Sequence, residues 1–154
     1  MRPLRVYVDT SVFGGMFEIE HEERTRRFFR MVGAGHFRLV VSDQVKEEVD
    51  RAPDETKRFF AMNLPSMEYL RILPVVSYLA DLYVVGKAVS EAHRSDAMHV
   101  AYASIYKCDG VISWNFRHMV KPKKSLRFNM LNVDNGFSQL FIASPEEITD
   151  EINR

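Results

Sequence analysis

The chain has 154 residues, 46% of them hydrophobic and 27% charged, which suits a folded domain with a real core and excludes a disordered chain. Basic and acidic residues both number 21, so the formal charge is zero; this neither supports nor excludes nucleic acid, because a local basic patch can bind phosphate on a neutral protein. The lone cysteine, Cys108, excludes an internal disulfide and fits a reducing, cytoplasmic setting.

The first element is a short β-type run, Arg5-Val6-Tyr7-Val8, that stops at Asp9-Thr10-Ser11. Val6 and Val8 are β-branched and read as buried strand. Asp9 then falls at the strand's C-terminal end, the edge where open parallel sheets bind ligands. A carboxylate there can be a metal ligand, a nucleophile or only a helix N-cap. Ser11 can cap the short helix that follows, which holds Gly14 and Gly15. A second helix is expected from about His21 to Val32, with Thr25, Phe28, Phe29 and Val32 on one face and Arg24, Arg27 and Arg30 off it. Phe37 to Val41 reads as the second strand, and Ser42 or Asp43 caps the next helix. In that helix Val45 and Val49 share a buried face. Glu48 lies about 80° from their centre, at the rim, and Glu47 points to solvent.

Pro53 opens a further helix carrying Phe59, Phe60 and Met62, and Pro65 closes it. This region, with residues 64 to 70, reads as core or dimer contact. Residues 67 to 73 read as the third strand, and 75 to 92 as one helix with Leu79, Leu82, Val85 and Val89 along a face. Pro74 and Asp81 interrupt the most apolar stretch, which argues against a membrane span; the N-terminal residues form no secretory-type apolar run. Ser95 is expected to cap a helix with Asp96 in its first turn and with Ala97, Ala101 and Ser104 as a small-residue face. Asp109-Gly110 reads as a turn. Val111 to Trp114 is the fourth strand, with Asn115 at its end. Lys121, Lys123, Lys124 and Arg127 form a basic segment, and Gln139 to Ala143 the fifth strand. Ser144-Pro145-Glu146-Glu147 supplies the cap, N1 proline and acidic first turn of a last helix.

Strands alternating with helices imply a mainly parallel sheet covered on both faces, over a single domain spanning 1–154. If strands one to three wind one way and four and five the other, Asp9 and Asn115 flank one crevice at the carboxyl edge. Glu48 and Asp96, each near a helix start, can reach it. Three carboxylates so close would raise each other's pKa, a penalty removed by Mg²⁺ or Mn²⁺, which take the oxygen ligands that these acids and the amide offer. His118 reads as a surface or phosphate-facing histidine; if a helical turn starts at Asn115 it can instead face the site and add a nitrogen, which shifts preference toward Mn²⁺. His99 reads as packing or hydrogen bonding within its helix. The basic segment can meet nucleic-acid phosphates or be a solvated charge run, and Trp114 or Tyr102 can stack on a base, with core packing the alternative for Trp114.

Four motifs in order, Val6-Tyr7-Val8-Asp9-Thr10-Ser11, Ser42 with Glu48, Asp96-Ala97-Met98-His99-Val100-Ala101-Tyr102-Ala103 and Ile112-Ser113-Trp114-Asn115, resemble a PIN domain, nearest to the VapC-like toxins of type II toxin–antitoxin pairs. The resemblance implies a doubly wound α/β/α sandwich with a five-stranded sheet in the order 3-2-1-4-5. It also implies an endoribonuclease dependent on Mg²⁺ or Mn²⁺, with an antitoxin protein as partner and a homodimer as assembly. Matching positions make Asp9, Glu48 and Asp96 the acidic metal site, with Ser11 a hydroxyl beside it. Asn115 departs from the pattern, since many PIN domains carry aspartate there. A catalytically weakened or inactive PIN-like binding module is therefore the alternative. A haloacid-dehalogenase-like phosphotransferase needs an acid where Ser11 stands, and a nucleotide-binding module needs a glycine-rich loop that Gly14-Gly15 does not provide.

Overall fold

The computed structural model describes residues 2–153. Five strands form one all-parallel sheet: β1 (Leu4–Val8), β2 (Phe37–Ser42), β3 (Glu68–Leu70), β4 (Gly110–Ile112) and β5 (Phe141–Ala143). Their order is β3-β2-β1-β4-β5, as the resemblance implies. Eight α-helices connect and cover them: α1 (Thr10–Gly15), α2 (Glu22–Gly33), α3 (Asp43–Val49), α4 (Asp54–Asn63), α5 (Pro74–Val85), α6 (Arg94–Ile105), α7 (Pro122–Asp134) and α8 (Pro145–Ile152). No described helix is long and apolar enough to cross a membrane.

The central strand explains the layering. Val6, Tyr7 and Val8 are fully buried, as expected of a parallel strand covered on both faces. Register pairs Val6 with Leu39 and Gly110, and Val8 with Ile112. The chain runs outward through β2 and β3, then crosses back to β4, so the switch point lies between β1 and β4. α6 is packed against β1, β4 and α5. Ala97, Ala101 and Ser104 are buried along it, which lets its axis come close to the sheet.

Three local expectations are corrected. The helix expected over 75 to 92 stops at Val85 because a Schellman-type end follows. Lys87 N–H donates to the Val84 carbonyl and Ala88 N–H to that of Tyr83, with Lys87 in the left-handed region at φ 63°. A lysine at the position where glycine is usual hides that end from the sequence. Asp109-Gly110 is not a turn: Gly110 opens β4, and the Phe141 ring lies 2.4 Å from where its Cβ would stand. Asp109 instead accepts from Arg2 and from the Arg5 N–H, which ties down the far edge of β1. Finally, Ser11 lies inside α1 and does not cap it; Asp9 holds the N-cap position.

The residues read as core or dimer contact divide. Phe60, Met67 and Leu70 are buried, and Phe59 stands edge-on to Phe17 and Phe29, whereas Met62 is 79% exposed. Phe60, Met67 and Leu70 are therefore core, while Met62 and Tyr69 stay exposed.

Candidate active site

Asp9 leaves β1 at its carboxyl end and is only 5% exposed. Both carboxylate oxygens are fixed by hydroxyls. Ser11 Oγ donates to Oδ1 at 2.6 Å, and Ser113 Oγ donates to Oδ2 at 2.6 Å. Each hydroxyl in turn accepts a backbone N–H from beyond β4: Ser11 from Trp114 and Ser113 from Asn115, both at 2.9 Å. Strand pairing, not local sequence, thus orients the acid. Burial raises its pKa, against the pull of His99 and the two serines.

Glu48 sits where the helical phase predicts, at the rim of α3 with its side chain 24% exposed, while Glu47 is 74% exposed. It is already well partnered. Thr10 Oγ1 donates at 2.5 Å, Gln44 Nε2 at 3.0 Å and His99 Nε2 at 3.0 Å. Burial alone would raise its pKa, but the His99 hydrogen bond and charge, with Thr10 and Gln44, bring it down to about 2.

His99 is the residue that sequence reading placed least well. It does not bond within its helix. It is buried and bridges two elements, with Nδ1 2.7 Å from the Tyr7 hydroxyl and Nε2 on Glu48. The Tyr7 hydroxyl continues to Ser42 Oγ at 2.7 Å, and Ser42 caps α3 by accepting from Val45 N–H. Burial would lower the imidazole pKa, but Glu48, Asp9 and Asp96 together raise it. These partners lie 35 to 92 residues apart in sequence, so no local pattern announces them.

Asp96, in the first turn of α6, is half-buried. Desolvation raises its pKa; His99, His118, His93 and a hydrogen bond from the Asn115 side chain oppose that. The Asp96 charge is one of the groups that push the Asp9 pKa upward. Asn115 reaches the same edge, but its Oδ1 accepts the His118 N–H at 3.0 Å and caps the π-turn Phe116–Val120. One lone pair of that oxygen remains for a cation.

The stacking residues are not available. Trp114 is 7% exposed, donates from Nε1 to Thr25 Oγ1 at 2.9 Å and stacks on His21 at 4.1 Å. Tyr102 is buried and its hydroxyl donates to Asp43. Half of the basic segment is also engaged. Lys124 donates to the Ala88 carbonyl and Arg127 to that of Gly86, both at 2.8 Å, where they close the end of α5. A cleft of about 350 Å³ opens beside Glu48 instead, with Arg51 and Arg94 on its walls.

No protein-family model matches the chain, and no curated protein matches it in sequence. Solved structures do. A chain of the VapBC2 complex of Rickettsia felis, determined with a DNA fragment from its promoter, superposes at TM-score 0.60 and 9% identity, over 92% of this chain and 98% of that one. The Mycobacterium tuberculosis VapC20, described as a sarcin–ricin loop cleaving toxin, superposes at TM-score 0.57 and 14% identity, over 73% of this chain and 92% of that one. The chain has the VapC-like PIN fold. In this PIN fold Asp9, Glu48, Asp96 and Asn115 all meet at the carboxyl edge of β1 and β4. Tyr7, Thr10, His99 and Ser113 are the polar residues that sequence reading did not assign to that edge. Ser113 had the clearest signal, a hydroxyl at the end of the apolar run Val111-Ile112.

Proposed function

We propose that the chain is a divalent-metal-dependent endoribonuclease and the toxin of a type II toxin–antitoxin pair, acting in the cytoplasm. The observation that carries this reading is the pair Asp9–Asp96, two carboxyls whose pKa values burial raises at one sheet edge with no cationic side chain salt-bridged to either among the described residues. Glu48 is already hydrogen-bonded by His99, Thr10 and Gln44, so the demand for a cation falls on the two aspartates. Their oxygens suit Mg²⁺ or Mn²⁺. A bound divalent ion supplies Lewis-acid charge at the scissile phosphodiester. The protein's own part is to hold Asp9 in one rotamer through Ser11 and Ser113, to keep Glu48 ionised through His99, and to steady Asp96 through Asn115. We assign phosphate contacts to Arg51 and Arg94, which line the cleft beside Glu48 and whose present ion-pair partners are the exposed carboxylates of Glu47 and Asp81. An antitoxin protein and a second copy of the chain are the partners this reading carries. Exposed Tyr69, Ile72, Leu73 and Tyr78 offer apolar area for them.

The engaged Asn115 oxygen favours one second reading, a PIN-like binding module with weakened or no catalysis. One experiment separates the two. RNA cleavage is measured with Mg²⁺, Mn²⁺ or EDTA for the wild type, Asp9→Asn, Asp96→Asn and Asn115→Asp. The nuclease reading expects metal-dependent cleavage, lost in the first two variants with the fold retained and strengthened in the third. Metal-independent cleavage, or full activity in Asp96→Asn, overturns it.

A further inference from the structure

Beside the acidic edge lie two imidazoles that the acidic chemistry leaves unused, grouped around one of its carboxylates. His93, Asp96 and His118 each offer one ligand atom, and these atoms all lie within 4.8 Å of one another. They arrive from three elements: the 3-10 turn Glu91–His93, the first turn of α6 and the π-turn Phe116–Val120. All three residues are half-buried, so the space between them opens to solvent.

The backbone is shaped to bring them together. His118 returns toward Asp96 only because the chain after β4 winds as a π-turn, in which Val120 N–H reaches the Asn115 carbonyl at 3.1 Å. The Asn115 side chain caps that turn on the His118 N–H. Single π-turns are rare and concentrate at functional sites. The His93 and His118 rings stack with centroids 3.7 Å apart at 25°, which aligns two imidazoles on one side of Asp96.

We infer that His93, Asp96 and His118 bind a divalent transition ion of the nitrogen-preferring class, Zn²⁺, Co²⁺ or Ni²⁺. Two imidazoles and a carboxylate form the donor set such ions take, whereas Mg²⁺ selects oxygen. Three protein ligands leave further coordination positions for water or substrate. Asp96 belongs to both donor groups, so an ion held by the histidines lies next to the Asp9–Asp96 pair and is coupled to whatever that pair holds. The inference concerns binding. It shares Asp96 with the site proposed above but stands whether or not the chain cleaves RNA.

The test is a titration of the metal-stripped full chain with Co²⁺, followed by visible absorption, and with Zn²⁺, followed by calorimetry. The wild type takes up one tight equivalent. His93→Gln and His118→Gln each weaken it by more than about tenfold, the smallest loss usual when even an outer partner of a metal ligand is removed. His36→Gln, far from the site, retains it. Should either histidine variant lose its fold, paramagnetic shifts of the His93 and His118 ring protons on adding Co²⁺ to the wild type decide the question. A wild type that takes up neither ion, a double variant that binds as tightly as the wild type, or unshifted ring protons overturns the inference. Cleavage with Mg²⁺ is scored separately, so a chain that binds Zn²⁺ through both histidines and cuts no RNA loses the nuclease and keeps this site.

Discussion

Replacing Gly15 with alanine sets two opposing effects against each other. Gly15 is the last residue of α1, where alanine ordinarily gains about 0.5–1 kcal/mol over glycine. Here the new methyl would stand 2.8 Å from Thr25 Oγ1 and 2.8 Å from Trp114 Nε1. Those two atoms are the acceptor and donor of one buried hydrogen bond. Neither side moves freely: Thr25 Oγ1 also donates to the His21 carbonyl, and the Trp114 ring is stacked on His21. Overpacking costs about 1–3 kcal/mol, and a stranded buried N–H costs about 1–3 more. The net loss is about 1–5 kcal/mol, which for a chain this long lowers Tm by about 2–20 °C. Thermal and urea melts measure it. Gly33→Ala is the control, since no atom lies within 4 Å of its Cβ position; it should gain about 0.4–1 kcal/mol. A Gly15→Ala protein that melts at or above the wild type would refute the reasoning. The Trp114 N–H also holds Ser11 against Asp9, so the same variant should bind Mn²⁺ more weakly.

Other consequences can be checked singly. Glu48 has its folded pKa depressed from 4.5 to about 2, so its stabilising contribution is whole above the ordinary value and lost as pH falls toward 2; urea midpoints across that window should fall less steeply for Glu48→Gln, and parallel slopes would refute this. Cys108 is buried, and burial pushes its thiol up to about 12; a thiol reagent at about pH 8 should label it slowly in the native protein and fast in urea, with equal rates contradicting the placement. Lys87 holds a left-handed backbone at φ 63°, so Lys87→Gly should raise stability by about 0.5–1 kcal/mol, the strain removed less the entropy added; a lower urea midpoint would count against it.

The alternation of strand and helix, the rim position of Glu48 and the first-turn position of Asp96 were legible from periods of two or 3.6 residues, whereas the strand order came from the resemblance of the four motifs. The end of α5 was not, because the left-handed residue is Lys87 and carries no glycine signal. Gly110 misled in the opposite direction: a glycine after aspartate reads as a turn, but its missing side chain makes room for Phe141. At the site, the acids were legible and their partners were not. Tyr7 looks like any buried strand tyrosine until His99 and Ser42 arrive from residues 92 and 35 positions away. The basic segment misled because charge in sequence does not reveal that Lys124 and Arg127 are spent on the Ala88 and Gly86 carbonyls just past α5.

The two serines that hold Asp9 take their own orientation from amides at positions 114 and 115. A ribosome-bound chain that has emerged only through β3 therefore carries the acid with neither of those amide anchors, nor the Ser113 hydroxyl, in place. Rigidity of the carboxylate arrives late, with the most sequence-distant pairing of the sheet, that of β1 with β4. A protein whose proposed activity is to cut RNA would thus be harmless to the template and machinery making it until roughly three quarters of its length has been synthesised.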